Sequence, residues 1–319
     1  MKILLIMACV LFSFGGIAGE TAPQTPKTYL WVIAHEPIDL FKAAADQFSN
    51  EIAEKTHGNI KINVMTLPEY AKVYNAGKEI SPDQFLKIVQ EGKIQFSQTY
   101  TTELGRYSPD MYVLDLPFLF RSHEHAKHVL EGKVGEQLLA SVTSEHVRGL
   151  AFTYSGGYRI LPSKKKIAKL EDFKGMRIRT SGSPVAQATF KALGAEPVVM
   201  GLNQIGDSMK DGDIVAGEST YARFYSMKQN EYSPYVIESF HSLFLTTILV
   251  NDDIWKELSP ENQAIVKTAA MNAARTERAK SLSDTDGIRL RCEKDSINIV
   301  SFDKKEIARI SKATQSVYK

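Results

Sequence analysis

The stretch TYLWVIAH (28–35) is followed by DLFKAAADQFSNEIAEKT and then by NIKINVM, and this succession constrains the fold more than any other feature of the chain. The first run is nearly continuous in apolar and β-forming residues, as a strand buried on both faces would be. In the second, Leu40, Phe41, Ala44, Phe48, Ile52 and Ala53 recur at helical spacing, and Gly58 ends the pattern. The third alternates, so the chain opens as strand, helix, strand. Further strand patterns read at 93–100, 148–154, 175–180, 196–200, 213–219, 241–251 and 297–302, with helical patterns between most of them. Such alternation predicts an α/β fold with mixed, mostly parallel sheets. From Ser259 to Cys292 an almost unbroken helical pattern, opened by SPENQ, is long enough to brace two lobes.

In open α/β sheets ligands bind beyond the carboxyl ends of strands. Arg179 stands at such an end in GMRIRTSGSP, just before a helix whose N-terminus also favours anions. Arg159 has a similar setting, since YSGGYR follows the strand pattern GLAFTY and supplies glycines for close backbone approach. Two guanidinium forks at strand ends suit a carboxylate. On the residues alone, an ordinary structural salt bridge is the favoured reading of Arg179. His35 and Glu36 close the first strand and either line a cleft or cap the following helix. Ser97, Thr99, Tyr100 and Thr102 follow another strand and offer hydrogen bonds to hydroxyl or keto groups, or form an ordinary polar loop. Tyr221, Phe224 and Tyr225 suit core packing for two of the three, with Tyr221 placed to reach a ligand. Trp31 and Trp255 read as packing residues.

The N-terminus MKILLIMACVLFSFGGIAGE has the order of a secretory signal peptide, with cleavage after Ala18. An uncleaved anchor and a lipoprotein at Cys9 are the competing readings. With Cys9 removed, Cys292 is the only thiol, so no internal disulfide can support the fold. The balance of 39 Lys and Arg against 37 Asp and Glu asks for neither nucleic acid nor an acidic membrane surface. His123, His125 and His128 do not complete a familiar metal-ligand set. Motifs of serine hydrolases, zincins, P-loops and dinucleotide folds are missing from the sequence, and no nucleophile and base pair suggests itself.

The stretches VLDLPFLFRSHEHAKHVLEGKVGEQLL, GGYR, LEDFKGMRIRTSGSPVAQATFKALGAEPVVM and HSLFLTTILVNDDIWKELSPENQ resemble a family in order and spacing. The chain is similar to extracytoplasmic substrate-binding proteins of tripartite ATP-independent periplasmic (TRAP) transporters, of the dicarboxylate-binding DctP type. The resemblance implies a type II-like fold of two lobes, with lobe I over 24–155 and 246–285 and lobe II over 156–245 and 286–319. It implies a periplasmic, monomeric receptor for a small organic acid, working with small and large membrane subunits, without cofactor, metal or catalytic residue. Arg179 matches the arginine that pairs with the ligand carboxylate, and Arg159 matches a second cleft arginine. The family's V-D-G-x-E-N-P stands here as IVAGEST: Glu218 is kept, and Ser219 occupies the place of an Asn that often contacts ligand. The segment 66–85 replaces a shorter Gly-rich turn, so the substrate cannot be copied from familiar members. Together with the readings of the residues themselves, this gives a ligand-contacting set of Arg179, Arg159, Ser219, Glu218, Tyr221, His35, Glu36 and Tyr100. A receptor feeding a periplasmic sensor and, more remotely, a hydrolase using His35 and Glu36 are the alternatives.

Overall fold

The computed structural model describes residues 26–143 and 146–319. The signal-peptide reading of 1–18 lies outside the described residues. Among those residues no helix is long and apolar enough to cross a membrane.

Among the described residues eleven strands form two sheets. They are β1 (Lys27–Ile33), β2 (Ile60–Thr66), β3 (Phe96–Tyr100), β4 (Val147–Tyr158), β5 (Leu161–Ser163), β6 (Arg177–Thr180), β7 (Glu196–Val199), β8 (Ala216–Gly217), β9 (Tyr235–Glu238), β10 (Leu243–Asn251) and β11 (Asn298–Ser301). The first sheet has the order β2-β1-β3-β10-β4 and the second β11-β9-β5-β8-β6-β7. One strand of each sheet runs against its neighbours: β10 is antiparallel to β3 and β4, and β5 is antiparallel to β8 and β9. The reason is topological. β5 continues β4 out of the first lobe and β10 returns from the second, so each enters its sheet from the opposite end. The β-α-β opening is present, with β1 parallel to β2 across the helix Ile38–Lys55.

Apolar residues cover both faces of each sheet. Trp31, Phe48 and Phe96 join Ala269, Ala270 and Ala273 of the helix Pro260–Lys294 on one face of the first sheet, and Phe85, Phe152 and Leu245 pack on the other. Cys292, near the far end of that helix, lies in the core of the second lobe with Tyr221, Phe224 and Val236. At 1.5 Å per residue the helix is about 50 Å long, enough to touch both lobes. Ser259 caps its start by accepting from the Asn262 amide at 3.2 Å.

Gly156 shows why the connection between lobes carries glycines. Its φ is +93°, and a Cβ there would lie 2.3 Å from the Thr220 Oγ1. Any larger residue would push the crossing strand off the turn that carries Glu218 and Ser219.

Candidate ligand-binding site

Three arginines meet between the sheets. Arg179 is the penultimate residue of β6 and is 6% exposed, Arg159 lies between β4 and β5 at 2%, and Arg223, from the helix Tyr221–Ser226, is at 1%. Burial of this depth is rare for a guanidinium without a partner.

Each is aimed by its surroundings. Arg179 donates Nε and Nη2 to the Met200 carbonyl at 3.1 and 3.0 Å, which fixes one edge of the fork and turns Nη1 away. Gly217, its neighbour across the β6–β8 pairing, leaves room: a Cβ there would sit 3.4 Å from the Arg179 Cβ. Desolvation, with the Arg223 and Arg159 charges against it and Glu218 opposing, pulls the Arg179 pKa down to about 10, which still leaves it charged at neutral pH. Arg159 lies 3.8 Å over the Phe244 ring and 3.7 Å from a Glu218 oxygen. Arg223 covers the same ring at 4.3 Å, donates Nε to the Glu36 carbonyl at 3.3 Å and donates Nη2 to the Tyr100 hydroxyl. Both acceptors belong to the first lobe, whereas the helix of Arg223 packs into the core of the second. Desolvation also lowers the Arg223 pKa.

Glu218 organises the cluster from behind. Its carboxylate accepts from Thr180 Oγ1, from the Ser181 amide at 3.3 Å and from His241 Nε2 at 3.1 Å. Burial alone would raise its pKa, but the Arg159 charge and the His241 and Thr180 hydrogen bonds outweigh it and hold the group far below the usual carboxylate range. Asp115 is the other buried acid here. Desolvation pushes it up to about 6, against the pull of Arg159 and of the Ser183 hydroxyl. Among the described residues neither Arg179 nor Arg223 has a carboxylate within 4.0 Å, so two buried cations lack an anionic partner.

The residues singled out in the sequence separate into two groups. Arg179, Arg159, Glu218, Tyr100, His35 and Glu36 come together: the His35 ring is 4.0 Å from that of Tyr100, and the Glu36 carbonyl holds Arg223. The Glu36 carboxylate instead accepts from the Ile38 amide at 3.1 Å, capping the next helix, and His35 contacts Thr99 Oγ1 at 3.4 Å. Burial and the Arg223 charge drive the His35 pKa down to about 3, so its ring is neutral. These two therefore do not form an acid and base pair. Tyr221 and Ser219 stand apart. The Tyr221 hydroxyl donates to Glu238 at 2.9 Å within the second-lobe core, because Tyr221, Phe224 and Tyr225 share one helix face and that face packs inward. Ser219 is buried, pairs its backbone with Ile160 and donates its hydroxyl to Gln229 Oε1 at 2.7 Å. Arg223 is the residue sequence reasoning missed. Placing Tyr221, Phe224 and Tyr225 on the buried face would have left Arg223 pointing to the cleft. His123, meanwhile, packs between Tyr154 and Tyr158 at ring distances of 5.4 and 4.8 Å, while His128 is exposed.

The sequence and the fold have known counterparts. A model of the bacterial extracellular solute-binding proteins, family 7 (DctP), matches residues 33–319. The chain belongs to that family. Relatives in this DctP family include the C4-dicarboxylate-binding protein DctB of Bacillus subtilis, 27% identical over 82% of this chain and 67% of that protein. The 2,3-diketo-L-gulonate-binding periplasmic protein YiaO of Escherichia coli is 28% identical over 87% of this chain and 82% of its own. Among solved structures, a TRAP periplasmic solute-binding protein of Xanthobacter autotrophicus with bound β-D-galacturonate superposes with a TM-score of 0.78 at 27% identity, covering 91% and 93% of the two chains. One from Ochrobactrum anthropi shares the fold at a TM-score of 0.82 and 24% identity, over 92% and 88%. DctP-family members are solute receptors rather than enzymes, and the two-lobed fold is theirs.

Proposed function

We propose that this chain is a periplasmic receptor that captures a small organic acid between its lobes and delivers it to the small and large membrane subunits of a TRAP transporter. The observation that carries the reading is the pair of buried guanidinium groups, Arg179 and Arg223, without a carboxylate partner. A dry, unpaired cation costs several kcal/mol, so an empty cleft favours an open, hydrated state. A carboxylate supplies the missing charge, and Nη1 of Arg179 remains for it once the Met200 carbonyl has taken the other edge. Arg223 then couples capture to closure, because it reaches Tyr100 and Glu36 only when the lobes meet. The ligand shifts the equilibrium by its differential affinity for the closed form, and no covalent step is needed.

The relatives' cargoes, a C4-dicarboxylate, a diketo-gulonate and a uronate, are all acids, which agrees with an anion site. Denaturing freshly purified protein and identifying the released molecule by mass spectrometry tests the reading. An organic acid in stoichiometric amount is the expected result. A neutral sugar or an amine would contradict it.

A further inference from the structure

A cavity of about 600 Å³ opens beside the arginine cluster on the first lobe. Its walls include Ala34, Ile38, Leu67, Ala71 and Ile80, and the exposed Lys72 and Glu79, of opposite sign, stand among them. Two further lining residues, His35 and Glu36, are shared with the cluster. The Glu36 carbonyl is 3.3 Å from Arg223 Nε, and the His35 ring is 4.0 Å from Tyr100, which accepts from the same guanidinium. The cavity therefore begins one residue away from a buried cation that lacks a carboxylate. Much of it is built by the segment after β2, where the helix Leu67–Tyr74 is fixed by a capping box between Thr66 and Glu69.

We propose that this cavity is a second subsite of the cleft, taking the alkyl or aryl tail of an organic acid whose carboxylate is held by the arginines. The proposal rests on the receptor reading. The wall nearest the head group is a neutral imidazole and a backbone carbonyl, and beyond it the buried part of the lining is apolar, the charged Lys72 and Glu79 being exposed to solvent. A polyhydroxylated acid would leave its hydroxyls facing Ile38, Leu67 and Ile80 without partners, whereas a hydrocarbon tail gains by leaving water.

The test is calorimetric titration of the full mature chain with pyruvate, 2-oxobutanoate, 2-oxopentanoate, 2-oxohexanoate and phenylpyruvate, alongside malate and D-glucuronate as polar acids. The expected result is affinity rising about fourfold per added methylene, the equivalent of about 0.8 kcal/mol each. In Ala34→Phe, which fills the cavity, the rise should vanish while the shortest acid still binds. Leu67→Gln, which makes a wall polar without filling the space, should at least halve the increment, and serves if Ala34→Phe does not fold. Affinity that is flat or falling along the series, with any short or polar acid bound, overturns the subsite and leaves the receptor reading standing. Binding of no acid overturns both.

Discussion

Replacing Arg223 with Met separates the ligand's contribution from the protein's own. The side chain is 1% exposed, lies 4.3 Å over Phe244 and bonds two neutral first-lobe groups, the Tyr100 hydroxyl and the Glu36 carbonyl. In the free protein two effects oppose each other. Removing a buried charge relieves its desolvation, which for buried ions replaced by apolar residues of similar volume is neutral or favourable by about 1–4 kcal/mol. Losing the donor leaves the buried Tyr100 hydroxyl without its partner, at about 1–3 kcal/mol, while the exposed Glu36 can turn to water. The two nearly cancel, so the melting temperature should move by only a few degrees. Binding has no such compensation. One or two charge-assisted hydrogen bonds at about 1.5–3 kcal/mol each are lost to the ligand, and at 1.4 kcal/mol per tenfold this weakens binding by roughly 10- to 20,000-fold. Calorimetric titration with the acid released from purified protein, paired with thermal unfolding of the ligand-free variant, reads both quantities. Affinity within threefold of the parent would refute the reasoning, as would a loss of stability as large as the loss of binding.

Arg179→Lys keeps the charge but cannot both hold the Met200 carbonyl and present a free edge, so affinity should fall at least about 30-fold with folding intact; unchanged titration would remove Arg179 from the site. Glu218→Gln deprives buried Arg159 of its nearest anion, and the parent should be the more stable at pH 7 by about 3–5 kcal/mol. Because the folded pKa of Glu218 is depressed, that advantage is present above the ordinary carboxylate range and shrinks as pH falls below it, which denaturant unfolding at pH 7 and pH 3 will show. Glu277, in the long helix, has the opposite sign: burial, partly offset by hydrogen bonds with Gln98 and Thr153, raises it from 4.5 to about 8. The parent should therefore lose stability by about 1.4 kcal/mol per pH unit between those values relative to Glu277→Gln, and a pH-independent difference would show that the acid is not held neutral.

The layers of the fold were legible because their signals are long and periodic. The β1, helix, β2 opening and the helix opened by Ser259 show as periodic runs of seven residues or more, and the short strand at Arg179 is marked by the glycine and helix start that follow it. β5 and β9 escaped because LPS and YVIE are too short to show a period, and Pro162 argues against a strand at all. They form only because the chain crossing from β4 and toward β10 is held beside them. Tyr221 was placed toward the ligand on its residue type, yet the spacing of its aromatic neighbours sends it to the core and Arg223 to the cleft. Glu277 was hidden for a different reason. In AARTERAKS it reads as one charge of a solvated face, and only the packing of that helix on β4 shows it fully buried against Gln98. The helix keeps a face in water, where Arg275 is exposed, but Glu277 falls in the buried stripe with Ala270, Ala273, Ala274 and Ser281.

In the proposed receptor Arg179 and Arg223 wait for an anion, and a crystal structure of the protein with the acid released from it decides whether they do. It should show a carboxylate oxygen about 2.7–3.2 Å from Nη1 of Arg179, with a second acceptor of the ligand within the same range of Arg223 or Arg159. An acid bound elsewhere, or a neutral molecule in the cleft with both guanidinium groups left without an anionic partner, would contradict it.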